Sequence, residues 1–289
     1  MRRLIAALAL VCAMTMPAAA DLEGGLAAYQ RGDYATALAL LTPLAQAGNA
    51  DAQLRLGRMF YTGTGVAQDF VTAASWLQRA AEAGLGEAQH GLGRLYYNGE
   101  GVPQDFAEAA RWYRSAAALG VAEAMDNLAS LYLRGEGVPQ DFAEAARWYR
   151  AGAEKGRAEA QYNHGLMYYE GKGVPQDFAE ALRWFRRAAA QRLGSAMSTI
   201  GEMYQLGRGV PADSVRAYAW FNLGTVVAPA SARVLAVLAR DRAAAELSPE
   251  DLARGQHLAR EIHARIAALA TAPRPPPERE LAVLTPETG

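Results

Sequence analysis

A chain of 289 residues that is 51% hydrophobic and 20% charged has too much apolar side chain to remain unfolded, and its 28 glycines and 13 prolines are far too few for a collagen-like repeat. Its 29 basic residues meet 30 acidic ones, for a net charge of −1, so no excess positive charge draws it onto a nucleic-acid backbone. The length alone is that of one or two globular domains.

The chain opens with a segment expected to be removed. Arg2 and Arg3 precede the apolar run from Leu4 to Met14, and Ala18, Ala19 and Ala20 supply the small residues a signal peptidase requires. Cleavage after Ala20 makes Asp21 the first mature residue. The run is too short for a permanent membrane anchor, and Val11 stands ahead of Cys12 where lipidation signals carry a small residue. Loss of residues 1–20 takes away two arginines and the sole cysteine, leaving 269 residues with a net charge of −3. The mature chain then forms no disulfide, although an exported compartment permits them. The expectation is a soluble protein of a bacterial periplasm or exterior, with no membrane span.

Residues 21–48 read as a helix pair with a short turn at Arg31-Gly32-Asp33. After them a strict period appears. Trp76, Trp112, Trp148, Trp184 and Trp220 are spaced 36 residues apart, as are Asp69, Asp105, Asp141, Asp177 and Asp213, which marks a stacked repeat array over 49–228. Between the tryptophan blocks runs a second one, with Ala52, Ala88, Ala124, Ala160 and Ala196 and, eight residues after each, Phe60, Tyr96, Tyr132, Tyr168 and Tyr204.

Each unit reads as two helices joined by a glycine loop. In the second helix Phe106, Ala109, Ala110, Tyr113, Ala116 and Ala117 keep the three-and-four spacing of a buried face, while Glu108, Arg111 and Arg114 point outward. Asp105 with Glu108, Asp141 with Glu144 and Asp177 with Glu180 have the spacing of an N-cap and its capping-box acid. Pro103, Pro139, Pro175 and Pro211 lie just ahead of these caps, where no helical donor is lost. Gly84, Gly120 and Gly156 close the second helices, where a left-handed backbone suits glycine.

Past the last tryptophan, Ser231 to Leu247 is an alanine-rich helical pattern. Ser248 then caps a helix beginning at Pro249 and running to about Ala270, with Leu252, Leu258, Ile262, Ile266 and Leu269 on one side. This pair, 229–271, is expected to cap the array, since every repeat otherwise exposes an apolar face. Pro273 and Pro275 to Pro277 stop any helix, so 272–289 reads as a flexible proline-rich tail.

The block carried by Leu92-Gly93, Tyr96, Gly99, Gly101, Val102, Gln104-Asp105, Ala109 and Trp112, with its equivalents 36 residues away, resembles the Sel1-like repeat, a relative of the tetratricopeptide repeat. Five units match. The unit at 21–48 lacks the long loop, has Leu40 in place of the tryptophan and resembles a tetratricopeptide unit instead. The resemblance implies an all-α fold, an α-solenoid of stacked antiparallel helix pairs. It also implies a scaffold for assembly and signalling, with exported bacterial members that act on envelope sensor, secretion or polysaccharide systems.

Catalytic chemistry is absent from the pattern. His90, His164, His257 and His263 form no pair at helical ligand spacing, so neither a metal site nor a cofactor is expected. The Gly-x-Gly loops follow helices and lack a P-loop lysine, and no serine stands in a nucleophile elbow. The tryptophans fall at core spacing and read as packing rather than sugar platforms. His164 takes the place held elsewhere by Leu56, Leu92, Leu128 and Ile200. It reads either as a histidine at the edge of the core with one ring nitrogen satisfied or as a pH-sensitive hinge.

Within the first helices, positions 54, 55, 58, 61 and 62 and their equivalents vary and share one helical face. In this repeat class that face lines a concave groove, which makes it the candidate partner-binding surface. The candidates are Arg55, Arg58 and Tyr61, then His90, Arg94 and Tyr97, then Asp126, Asn127 and Arg134, then Tyr162, Asn163, Tyr169 and Glu170, and last Glu202. Planar cations and aromatic rings among hydrogen-bonding neighbours suit a protein or peptide partner. Arg55, Arg58, Arg94 and Arg134 precede Glu170 and Glu202, so the groove is expected to be basic first and acidic later, with an acidic partner segment over the first repeats. Two other readings stand beside this one: binding to cell-wall glycan through the groove tyrosines, and β-lactam binding or hydrolysis. The second is implied by cysteine-rich exported relatives, whose paired cysteines this chain lacks.

Overall fold

The computed structural model describes residues 18–271. The apolar run of the expected signal segment and the tail 272–289 lie outside the described residues. Those that are described form an α-solenoid of fourteen helices with no strand among them. They are α1 (Ala18–Gln30) and α2 (Tyr34–Gln46), α3 (Ala50–Thr62) and α4 (Phe70–Glu82), α5 (Gly86–Asn98) and α6 (Phe106–Ala118), and α7 (Ala122–Arg134) and α8 (Phe142–Glu154). They continue as α9 (Ala158–Glu170) and α10 (Phe178–Ala190), α11 (Gly194–Leu206) and α12 (Ser214–Val227), and α13 (Ala230–Ala245) and α14 (Pro249–Thr271).

The boundaries follow from the cap residues. First helices end at Gly63, Gly99, Gly135, Gly171 and Gly207, each left-handed with φ between 66° and 72°, a region that costs other residues about 1 kcal/mol or more. Second helices start at the repeated aspartate, whose carboxylate accepts backbone N–H bonds of the first turn, as Asp105 does from Ala107 at 2.9 Å and Glu108 at 3.0 Å. The capping box expected from the sequence does not form. The backbone N–H of Asp105 donates to the Tyr96 carbonyl at 2.9 Å, and the same bond recurs from Asp69 to Phe60, Asp141 to Tyr132, Asp177 to Tyr168 and Asp213 to Tyr204. With that donor committed, Glu108, Glu144 and Glu180 pair with Arg111, Arg147 and Arg183 at 2.6, 2.6 and 2.9 Å. The repeated aromatic is thus joined to the repeated aspartate through backbone, and the loop between them is a closed hydrogen-bonded unit.

The second glycine of each loop makes a contact between repeats. A methyl on Gly101 would overlap the Phe70 carbonyl, and Gly137 and Gly173 stand in the same relation to Phe106 and Phe142. Gly84, Gly120 and Gly156 close their helices at φ of 88°, 85° and 89°. In the fourth of these units the place is taken by Arg192, a non-glycine residue with positive φ, at 65°.

The chain divides into two compact units, Met1–Leu131 with Gly135–Pro139, and Tyr132–Arg134 with Gln140–Gly289. In the first, Ala37, Leu41, Leu56 and Met59 form one core cluster and Leu77, Leu92, Leu95 and Trp112 another. Full burial of each leucine stabilises by about 2 kcal/mol. In the second, Phe185, Ile200, Tyr204, Trp220 and Phe221 pack with Ile262 and Ile266 of α14. That helix starts at Pro249, with Ser248 Oγ accepting from the Asp251 N–H at 3.1 Å. Most of the α6 face is as its spacing required, with Ala109, Ala110, Tyr113, Ala116 and Ala117 buried and Arg111 and Arg114 exposed, while Phe106 at the helix start and Glu108 are half-buried. Arginines cover the tryptophan rings, Arg111 lying 4.2 Å from the centroid of Trp112 and Arg187 4.5 Å from that of Trp184. Buried Gln53, Gln89 and Gln161 each reach back to a last-turn carbonyl of the preceding helix, Ala45, Ala81 and Ala153, which also accepts the N–H of the closing Gly48, Gly84 or Gly156.

Candidate partner-binding face

In the first unit the face predicted on α3, α5 and α7 is held by contacts among its own residues. Arg55 lies over the Tyr29 ring at 4.5 Å. Arg58 pairs with Glu87 at 2.7 Å, with both side chains about half exposed. Arg94 donates to the Tyr61 hydroxyl at 2.9 Å and lies 5.3 Å from the centre of that ring. Tyr61 and Tyr97 pack against Phe70 and Phe106, and Asn127 meets His90 Nε2 at 3.0 Å. Asp126 is buried at 8% exposure and offers little surface to a partner. Burial raises the Tyr61 hydroxyl above its usual range, against the pull of Arg94, so it is neutral at physiological pH.

Between α3 and α5 this face opens into a pocket of about 90 Å³. Leu54, Leu77 and Gly91 form its floor, and Arg58, Tyr61, Glu87, His90 and Arg94 its walls and rim. Four of the predicted residues, Arg58, Tyr61, His90 and Arg94, are therefore brought together. Glu87, Leu77 and Gly91 had not been singled out. Glu87 was legible as the residue three before His90, on the same helical face. Gly91 was legible as the one member without a side chain in the series Arg55, Gly91, Asn127, Asn163 and Thr199.

The second unit carries Arg134, Tyr162, Asn163, Tyr169, Glu170 and Glu202. Tyr162 packs on Phe185 and its hydroxyl lies 3.5 Å from Thr199 Oγ1. Tyr169 meets the Phe178 ring edge to face and accepts from Arg208, whose guanidinium also lies over its ring. Glu170 pairs with Lys172 at 2.8 Å. Burial raises the Glu202 carboxyl, opposed by Arg208. The expected acidic stretch is therefore interleaved with Lys172 and Arg208, which lie in the loops and fall outside the helical column that predicted it.

His164 belongs to the core of this unit and not to its edge. It is 2% exposed, its ring lies 5.1 Å from Tyr168 and 5.0 Å from Trp184, and its Nδ1 has no hydrogen-bond partner. Burial, with a smaller push from Arg150 and an opposing one from Glu154, lowers its pKa to about 4. The edge reading fails on depth: the ring fills a leucine's place between Tyr168 and Trp184, with its Nδ1 buried and unpartnered. Among the described residues no group of three His, Cys, Asp or Glu is placed to hold a metal ion, and no helix is long and apolar enough to cross a membrane.

Comparison with known proteins matches the Sel1 repeat model over residues 50–85, 86–121, 122–156, 158–193 and 194–224. Among solved structures, a Sel1 repeat protein from Oxalobacter formigenes shares 31% identity over 73% of this chain and 87% of its own, with a TM-score of 0.69. A protective antigen present in uropathogenic Escherichia coli strains, displaying an SLR fold, shares 27% identity with a TM-score of 0.69 over 92% of this chain. This chain spans 61% of the length of that antigen. No curated protein matches.

Proposed function

The chain belongs to the Sel1 repeat family, whose repeats generally mediate protein–protein interactions, and on that premise we propose that it is a non-catalytic, exported scaffold of the bacterial periplasm. Its first-helix face binds a partner polypeptide of an envelope signalling or secretion system. The observation that carries this reading is the cluster of Arg58, Tyr61, His90 and Arg94 around one pocket in the first unit. Arginine and tyrosine are the side chains that concentrate binding energy when a partner covers them. The glycan reading finds less support, because Arg94 and Arg208 already lie over the rings of Tyr61 and Tyr169.

Two experiments test the proposal. The Arg58→Glu/Arg94→Glu variant should lose at least tenfold in affinity for the partner that the wild-type protein captures from periplasmic extract, because a repelling charge replaces each cation. Equal capture by the two would overturn the assignment of this face. Expressed from its own first codon, the protein should be recovered from the periplasm with Asp21 at its N-terminus. Recovery from the cytoplasm with residues 1–20 attached would overturn the export.

A further inference from the structure

Gly91 lies in the middle of α5, where glycine costs about 1 kcal/mol relative to alanine. Its neighbour Gly93 has a packing reason for being glycine, since a methyl there would stand 2.7 Å from the Tyr113 ring. Gly91 has none. A methyl would meet Leu77 at 3.4 and 3.5 Å, ordinary van der Waals contact, and Gly91 is not among the glycines of positive φ. Its four equivalents are Arg55, Asn127, Asn163 and Thr199. What the missing side chain leaves is the space of the pocket.

We propose that this pocket is an anchor site for a single residue of the partner, taking an aliphatic side chain that is followed by an aspartate or glutamate. This deepens the partner-binding reading above and rests on it. A volume of about 90 Å³ is several times what a single water requires and leaves room for a side chain. The floor of Leu54 and Leu77 is apolar. At the rim Arg94 is held in place by the Tyr61 hydroxyl and ring, and a guanidinium so held keeps further donors in a planar fork that matches a carboxylate. Arg58 adds a second cation. Its partner Glu87 is 60% exposed, and water screens such a pair, so it yields readily to an incoming acid. Glu100 acts on Tyr61 from its other side. Among the residues that line the pocket, two guanidiniums, Arg58 and Arg94, stand against one carboxylate, Glu87, an excess that favours an acidic residue there.

The test is a titration of the mature chain, followed by amide NMR, with N-acetyl-Val-Glu-amide as the probe. Saturable shifts are expected at Gly91, His90 and Arg94, with a Kd on the order of millimolar. N-acetyl-Val-Lys-amide should bind at least tenfold more weakly. Gly91→Asn, which supplies the side chain that positions 127 and 163 carry, should abolish the shifts while its melting temperature stays level or rises. Undiminished titration of Gly91→Asn, or equal binding of the lysine dipeptide, overturns the anchor site. Capture of the protein partner separates the two levels. Loss in Arg58→Glu/Arg94→Glu with full retention in Gly91→Asn leaves the binding face standing and removes the pocket, whereas retention in both removes both.

Discussion

His164 shows what one substitution in a repeated core position does. Placed where other repeats have leucine or isoleucine, it is buried against Tyr168 and Trp184 with its pKa lowered to about 4. In the unfolded chain the ring titrates near 6.5, so between these values the unfolded state binds more protons and stability rises with pH. The contribution is fully present above about 6.5 and is lost as pH falls to about 4. At 1.36 kcal/mol per pKa unit the whole effect is about 3 kcal/mol. His164→Leu should therefore flatten the pH dependence of the urea midpoint across that window and raise stability at pH 7 by about 1 kcal/mol, because Nδ1 is buried without a partner. A variant with the slope of the wild type would show that His164 is not the group responsible. The exceptional residue was legible from its place in the repeat, but its depth was not, because a histidine at the rim and one in the middle of the core occupy the same helical position.

At the scale of the element, the glycines separate into two kinds that composition does not distinguish. Gly84 closes α4 at φ 88° with nothing within 4 Å of an added methyl, whereas Gly101 combines φ 72° with direct backbone contact to Phe70. Gly84→Ala should cost about 1 kcal/mol for the left-handed backbone alone. Gly101→Ala should cost about 3 kcal/mol or more, because the methyl must also push one repeat off its neighbour. Urea denaturation of the two variants side by side measures the difference, and equal costs would mean that the loop does not carry the contact between repeats. Helix starts and stops were readable because aspartate caps and glycine closures act within a few residues of chain. The capping box was misread for a tertiary reason: the N–H of Asp105 is taken by Tyr96, a residue of the preceding helix.

At the scale of the whole molecule, the near-neutral composition conceals a face whose charges are paired locally. Arg58 meets Glu87 and Glu170 meets Lys172, so the simple division into a basic beginning and an acidic end does not describe either unit. Charges counted along a helical column omit the loop residues and the residues one turn away that the fold brings beside them. The partner experiments belong to this scale, since the proposed binding face is assembled from more than one repeat: Arg58 comes from α3, and His90 and Arg94 come from α5.

Strict spacing determined the all-α class, the helix pairs, the five repeats and the cap residues, because each depends on periodicity and on backbone preferences that act over one or two turns. It also determined which positions share the first-helix face. Only the tertiary structure decided what that face contains: that Asp126 lies beneath it, that Tyr61 is pinned by an arginine 33 residues away, and that the absent side chain of Gly91 opens a pocket over Leu54 and Leu77. These are contacts between helices, and their geometry follows from how side chains of neighbouring repeats fill or leave space, which the period of the sequence does not encode.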